Sequence, residues 1–148
     1  MDSAQTLERI FSLCSAIALA GWIMLLTAPF ARAPLIRGAR ILSGVLAIAY
    51  VVQIATIVQP VAGGGFSTLA GVVALFSMPG NVMLGWTHYL AFDLFTGAWA
   101  LEDSARIGIP HWAMIVPLAL TFLLGPVGLL TYGIIRTLHL WRTRGRWV

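Results

Sequence analysis

Gly85-Trp86-Thr87-His88-Tyr89-Leu90-Ala91-Phe92-Asp93-Leu94-Phe95-Thr96-Gly97-Ala98-Trp99 places an imidazole and a carboxylate inside a segment otherwise apolar enough to cross a membrane. An Asp near the middle of a membrane helix costs about 2.5–3.5 kcal/mol on insertion scales, so it marks a functional site whose partner has to be found. The composition agrees: of 148 residues, 59% are apolar and only 9% charged, with a mean hydropathy of +0.91. Soluble domains do not have this composition. The alternating pattern of a membrane barrel is missing, so the fold class is all-α, a polytopic membrane helix bundle forming one integral membrane domain over residues 1–148.

All nine basic residues are arginine, and they cluster at Arg32, Arg37 and Arg40 and again at Arg136, Arg142, Arg144 and Arg146. The net charge of +4 could suggest nucleic acid. Because the arginines flank apolar spans, the partner they point to is membrane lipid with anionic headgroups, not a nucleic acid. The single cysteine, Cys14, excludes an internal disulfide and a cysteine-based metal cage, and reads as a small core residue.

Working outward, the first span runs from about Ile10 to Phe30. Asp2, Glu8 and Arg9 leave its leading segment slightly acidic, which argues against a cleaved signal peptide. A second span runs from about Ile41 to Val58, with Tyr50, Gln53 and Thr56 as a polar seam facing other helices. The apolar run from Thr68 to Phe76 is too short to span and reads as an interfacial or re-entrant helix. Asn81 is then a candidate N-cap for a third span, which carries the central motif and ends near Glu102-Asp103. A fourth covers about Trp112 to Ile135, kinked or broken at Pro117 and at Gly125-Pro126.

Four transmembrane helices plus the short helix create a conflict, because the two arginine clusters then lie on opposite sides while cytoplasmic loops should hold both. Either the segment near 66–78 crosses as well, or one cluster lies outside. The reading adopted is four full spans with a partial insertion and a cytoplasmic C-terminus.

Helical steps of about 100° per residue put Trp86, Tyr89 and Asp93 on one face and His88, Phe92, Phe95 and Trp99 on another, with His88 and Asp93 about 140° apart. They can act together only across a cavity lined by neighbouring helices. In the four-span reading Gln53 is expected at the depth of His88, and nearer the level of Asp93 if the segment near 66–78 crosses instead; Tyr132 is expected on the side of His88, with Glu102 and Asp103 at the other end and Arg106 pairing with Asp103. Trp86, Tyr89, Phe92, Gln53 and Tyr132 are therefore the candidate ligand-binding residues. The bland reading of His88 is an interhelical hydrogen bond, and that of the aromatic stripe is packing. A haem is not expected, because His88, His111 and His139 fall at different depths. No metal cluster, phosphate loop or nucleophile elbow is visible, so no cofactor and no metal is expected.

The pattern Trp86-x-His88-x-Leu90-x-x-Asp93-Leu94-Phe95, followed by Asp103 and by Gly125-Pro126-Val127-Gly128, resembles the abscisic-acid-deficient-4-type family of neoxanthin-synthesis-associated membrane proteins. The run from Leu69 to Ser77 is similar to a segment ahead of that motif in the family, and the likeness covers roughly residues 66–136. Plant members are implicated in converting the epoxycarotenoid violaxanthin to neoxanthin. The resemblance implies a carotenoid or isoprenoid ligand and, as activity, a cofactor-free isomerisation. Opening an allylic epoxide needs an acid at the oxygen and a base at the polyene. His88, Asp93 and Asp103 are the catalytic candidates: Asp93 as acid, His88 as base, Asp103 near the headgroup-level mouth. Without a plastid transit peptide the expected location is a bacterial inner membrane. Two other roles fit the same residues: a non-catalytic pigment- or lipid-binding protein or partner of a membrane complex, and, ranked last, a proton pathway through Asp93 in a homo-oligomer.

Overall fold

The computed structural model describes residues 3–144. Asp2 and Arg146 lie outside the described residues, as does the side chain of Arg144. All regular structure among them is helical: α1 (Ser3–Leu26), α2 (Arg32–Thr56), α3 (Leu69–Leu75), α4 (Pro79–Arg106), a 3-10 turn (His111–Met114), α5 (Ile115–Leu124) and α6 (Pro126–Arg144).

By length and apolarity α1 and α2 can each cross a membrane, and α3 with α4, bent by 103° at their junction, makes a third candidate. Leu13, Ile41, Ile48 and Val51 are each more than half exposed, the pattern of a helix surface facing lipid. The second helix begins nine residues before the expected Ile41, because Pro34 falls in its first turn, where a missing N–H breaks no helical hydrogen bond.

The three long helices pack through small residues and buried polar bonds. A β-carbon on Gly21 would strike the Leu94 side chain, and one on Gly97 would strike Trp22, so α1 and α4 run side by side in the same direction. Antiparallel α2 lies on the other flank of α4. Gly80 touches Ile57, Thr87 Oγ1 donates to Gln53 Oε1 at 3.1 Å, Ser43 Oγ donates to the Ala91 carbonyl at 2.9 Å, and Arg40 pairs with Glu102.

Asn81 is not the N-cap of α4. Met78 occupies that position and Pro79 follows it at the first helical residue. The buried Asn81 amide instead ties three segments together, donating to the carbonyls of Gln59 at 3.1 Å and Leu75 at 2.8 Å and accepting from Gln59 N at 3.2 Å. Thr68 caps α3, its hydroxyl accepting from Gly71 N at 3.0 Å.

The segment expected as a fourth span is not one continuous helix. Gly125, at φ +45 and ψ −91, reverses the chain, and Pro126 opens α6 with a residue that has no N–H to satisfy. Thr121 and Gly128 would be about 10.5 Å apart along one helix. In the structure a β-carbon on Gly128 would overlap the Thr121 backbone and hydroxyl. The two helices therefore form a hairpin.

Its position is fixed by α4, since Asp93 touches Gly125 at the tip, Asp103 binds Tyr132 and Arg136, and His139 Nε2 donates to the Ile107 carbonyl at 2.9 Å. Thus α6 runs alongside α4 and returns to the end where α5 began. The first arm, ten residues long, reaches only about 15 Å, half the thickness of a bilayer core. Arg32, Arg37, Arg40, Arg106, Arg136 and Arg142 consequently all lie toward one end of the molecule.

Because Gly128 is pressed against α5, Gly128→Ala should destabilise the protein by about 1–3 kcal/mol, the usual cost of overpacking. Gly133→Ala, with open space around it, should not. Thermal unfolding of the two variants in detergent, followed by circular dichroism, makes the comparison, and equal melting temperatures would contradict the hairpin contact.

Candidate functional site

The chemistry-bearing residues of α4 fall into three separate settings along one helix. The first is at His88. Its ring stacks on Phe92 with centroids 4.6 Å apart and meets Tyr50 of α2 edge-on at 5.6 Å. His88 and Tyr50, together with Phe66 and Phe76, line a mostly apolar cleft of about 550 Å³ between α2 and α4, closed at one end by the segment around α3. The imidazole is exposed and makes no hydrogen bond among the described residues. Gln53 lies at the depth of His88 but is only 3% exposed, and its amide holds Cys14 Sγ of α1 at 3.8 Å and Thr87 of α4.

The second setting is the face of Trp86, Tyr89 and Asp93, which the helical spacing places together and the structure keeps together. Trp86 stacks on Phe11 at 5.6 Å and on Tyr89 at 5.7 Å, and its indole N–H donates to Ser15 Oγ at 3.2 Å. One turn further, Asp93 is half-buried, coupled electrostatically to the Tyr89 hydroxyl, and faces Gly125. A β-carbon on Gly125 would lie 2.9 Å from Asp93 Oδ1. Any other residue there would both strain the reversal and crowd the carboxylate. Asp93 Oδ2 is buried without a hydrogen-bond partner. This is an uncompensated polar atom at the midpoint of the longest helix, of the kind that native structures rarely leave without a use.

The third setting corrects two expectations. Tyr132 does not lie beside His88. Because α6 folds back, its hydroxyl donates to Asp103 Oδ2 at 2.5 Å and its ring meets Trp99 edge-on at 5.6 Å. Arg136 Nε donates to the same carboxylate oxygen at 2.7 Å. Nor does Arg106 pair with Asp103; it takes Glu102 one turn back, and Arg40 of α2 takes the other Glu102 oxygen. These acids anchor α2 and α6 to the last turn of α4. Nearby, His111 Nε2 donates to the Leu26 carbonyl at 3.2 Å, and burial pushes its imidazole below the usual histidine range.

His88, Asp93 and Asp103 are therefore not gathered around one cavity. His88 opens on the α2 side and Asp93 on the hairpin side, and Asp103 is already held by two donors. Among the described residues no three His, Cys, Asp or Glu side chains converge as metal donors. Sequence reasoning did not pair Arg40 with Glu102, and it carried no signal for doing so beyond the general placement of arginines at helix ends.

Apolar helices of spanning length around a half-buried carboxylate define an all-α membrane protein. The chain belongs to the ABA4-like family, described as ABA DEFICIENT 4-like, which it matches over residues 9–132. No curated protein and no solved structure shows a significant match to it. The match extends through α1 and α2, beyond the part where the motif alone suggested likeness.

A hydrogen bond to a charged group contributes about 1.5–3 kcal/mol, so Tyr132→Phe should lower the unfolding free energy by that amount. In a double-mutant cycle Asp103→Asn should cost markedly less once Tyr132 is Phe. Strict additivity in thermal or denaturant unfolding would mean that the two side chains do not interact.

Proposed function

We propose that this chain is a membrane protein of carotenoid metabolism that isomerises a carotenoid or related isoprenoid epoxide without a cofactor, using Asp93 as its acid. The observation that carries the reading is the Asp93 carboxylate, half-buried at the middle of α4, with one oxygen unpartnered, beside the Trp86–Tyr89 aromatic face. Membership of the ABA4-like family supports the pigment class.

In the protonated state Asp93 gives its proton to the epoxide oxygen as the C–O bond breaks. The electron pair of a polyene C–H bond then moves into the chain, and the released proton returns to the carboxylate. Substrate and product are isomers and Asp93 ends as it began, so no oxidant or reductant is needed. His88, about 140° around the helix, is not the base for this step. Its aromatic cleft instead suits a polyene or end ring held against α2. Asp103 anchors the hairpin and takes no part in the proton transfer.

The separation of His88 from Asp93 also favours a second reading, in which the cleft holds a pigment or lipid and no reaction follows. In a cell making epoxycarotenoids, Asp93→Asn should lower product by about 10²-fold or more, the range for loss of a general acid. His88→Ala should reduce co-purifying pigment while leaving the product type unchanged. Chromatography of pigment extracts reads both, and unaltered product with Asp93→Asn would remove the isomerase reading and leave the binding one.

For the membrane setting, we propose three crossings by α1, α2 and α4, with the α5–α6 hairpin entering halfway from the arginine-rich end. That end faces the cytoplasm of a bacterial inner membrane, which puts both arginine clusters inside without a fourth crossing. A fluorescent protein fused after Val148 should fluoresce, and alkaline phosphatase fused there should be inactive. A cysteine at exposed Ser77 should react with a membrane-impermeant maleimide in intact spheroplasts. An active phosphatase fusion would reverse the orientation.

A further inference from the structure

At the arginine-rich end, a cleft of about 430 Å³ lies between the first turns of α2 and the last turn of α4. Four guanidinium groups surround it, those of Arg32, Arg37, Arg40 and Arg106, against the single carboxylate of Glu102. Glu102 is taken up by Arg40 and Arg106. Neither Arg32 nor Arg37 has a carboxylate partner among the described residues, and Arg37 makes only a local bond to the Ala33 carbonyl at 3.3 Å. Arg40 Nε and Glu102 Oε2, on the two side chains of one ion pair, are both buried without a hydrogen bond of their own. The lining therefore carries three net positive charges.

Two further features point to the same ligand chemistry. The N-terminus of α2 opens at this cleft, and its N-cap residue, Ala31, provides no side-chain acceptor for the first-turn N–H groups. Those groups and the helix dipole favour an anion. The floor is apolar, formed by Ala33, Ile36 and Ala105. A guanidinium rim over an apolar floor, at the polar end of membrane-length helices, suits a phosphate group carried on a greasy body.

We propose that this cleft is a phosphate-binding site, occupied by the phosphate of an anionic membrane lipid, with Arg32 and Arg37 as its free donors and Arg40 held in place by Glu102. It is separate from the Asp93 face and from the His88 cleft, which lie toward the middle and opposite part of α4. The site would clamp α2 to α4 by neutralising the charge that Glu102 leaves unbalanced.

The test is native mass spectrometry of the full chain in detergent, titrated with phosphatidylglycerol or with phosphatidylcholine, in wild type and in Arg32→Gln/Arg37→Gln. The double substitution leaves the Arg40–Glu102–Arg106 cluster untouched, and circular dichroism checks that the helices persist. If it fails to fold, the single variant Arg37→Gln, altering an exposed side chain, replaces it.

Phosphatidylglycerol should bind wild type at least ~10-fold more tightly than phosphatidylcholine, and each lost guanidinium should weaken it by about tenfold. Arg142→Gln, on the exposed flank of α6, should leave binding unchanged. Pyrophosphate added at millimolar concentration separates the sources. Failure to displace the lipid supports a headgroup site. Displacement, with pyrophosphate binding lost in the double variant, supports the same phosphate site with a soluble occupant. Equal lipid binding by wild type and the folded variant, or an equal loss with Arg142→Gln, would overturn the proposal, since either means diffuse charge attraction.

Discussion

The reversal at Gly125-Pro126 is the constraint on which the rest of the arrangement depends. A straight helix over Trp112–Ile135 would carry Tyr132, Arg136 and His139 to the end opposite Asp103 and Ile107. The fold-back brings all three to the same end as their partners. Two properties of the pair make it work. Glycine accepts the positive φ, and proline starts the next helix without an N–H to satisfy. The lack of a side chain at Gly125 also leaves room for the Asp93 carboxylate, so the turn and the half-buried acid occupy one place.

The same reversal accounts for the charge pattern. Two acidic residues at the end of α4 collect arginines from α2, α4 and α6, and Arg32 and Arg37 lie toward the same end. Two arginine clusters that conflict in a four-span topology become neighbours once the last segment is a hairpin. Surface ion pairs of this kind add little stability individually. Here they share acceptors with a buried tyrosine hydroxyl and join three helices, so they fix register.

At the opposite end, packing is polar for a different reason. The irregular chain between α2 and α4 has backbone groups that need partners, and Asn81 supplies three of them from one side chain. An N-cap at this position would have satisfied one N–H. Placed inside the first turn after Pro79, the amide reaches both the end of α2 and the end of α3. Gln53 plays the corresponding part deeper in the bundle, where its amide joins α2 to α1 through Cys14 and to α4 through Thr87.

By itself the sequence determined the membrane class, the helical fold and the division of α4 into two faces, because these depend on composition and on a local rotation of about 100° per residue. Trp86, Tyr89 and Asp93 share one face and His88 and Phe92 another, as spacing alone requires. The first two helices, legible only as hydropathy, proved to be part of the same family match. Only the tertiary structure decided whether Gly125-Pro126 is a kink or a full reversal, since both begin with the same loss of helical hydrogen bonds and differ in what the next segment packs against. It also decided that Glu102 takes Arg40, that Asp103 takes Tyr132 and Arg136, and that His88 and Asp93 serve different surfaces. Those pairings join residues far apart in the chain, and no local periodicity encodes which helix ends meet.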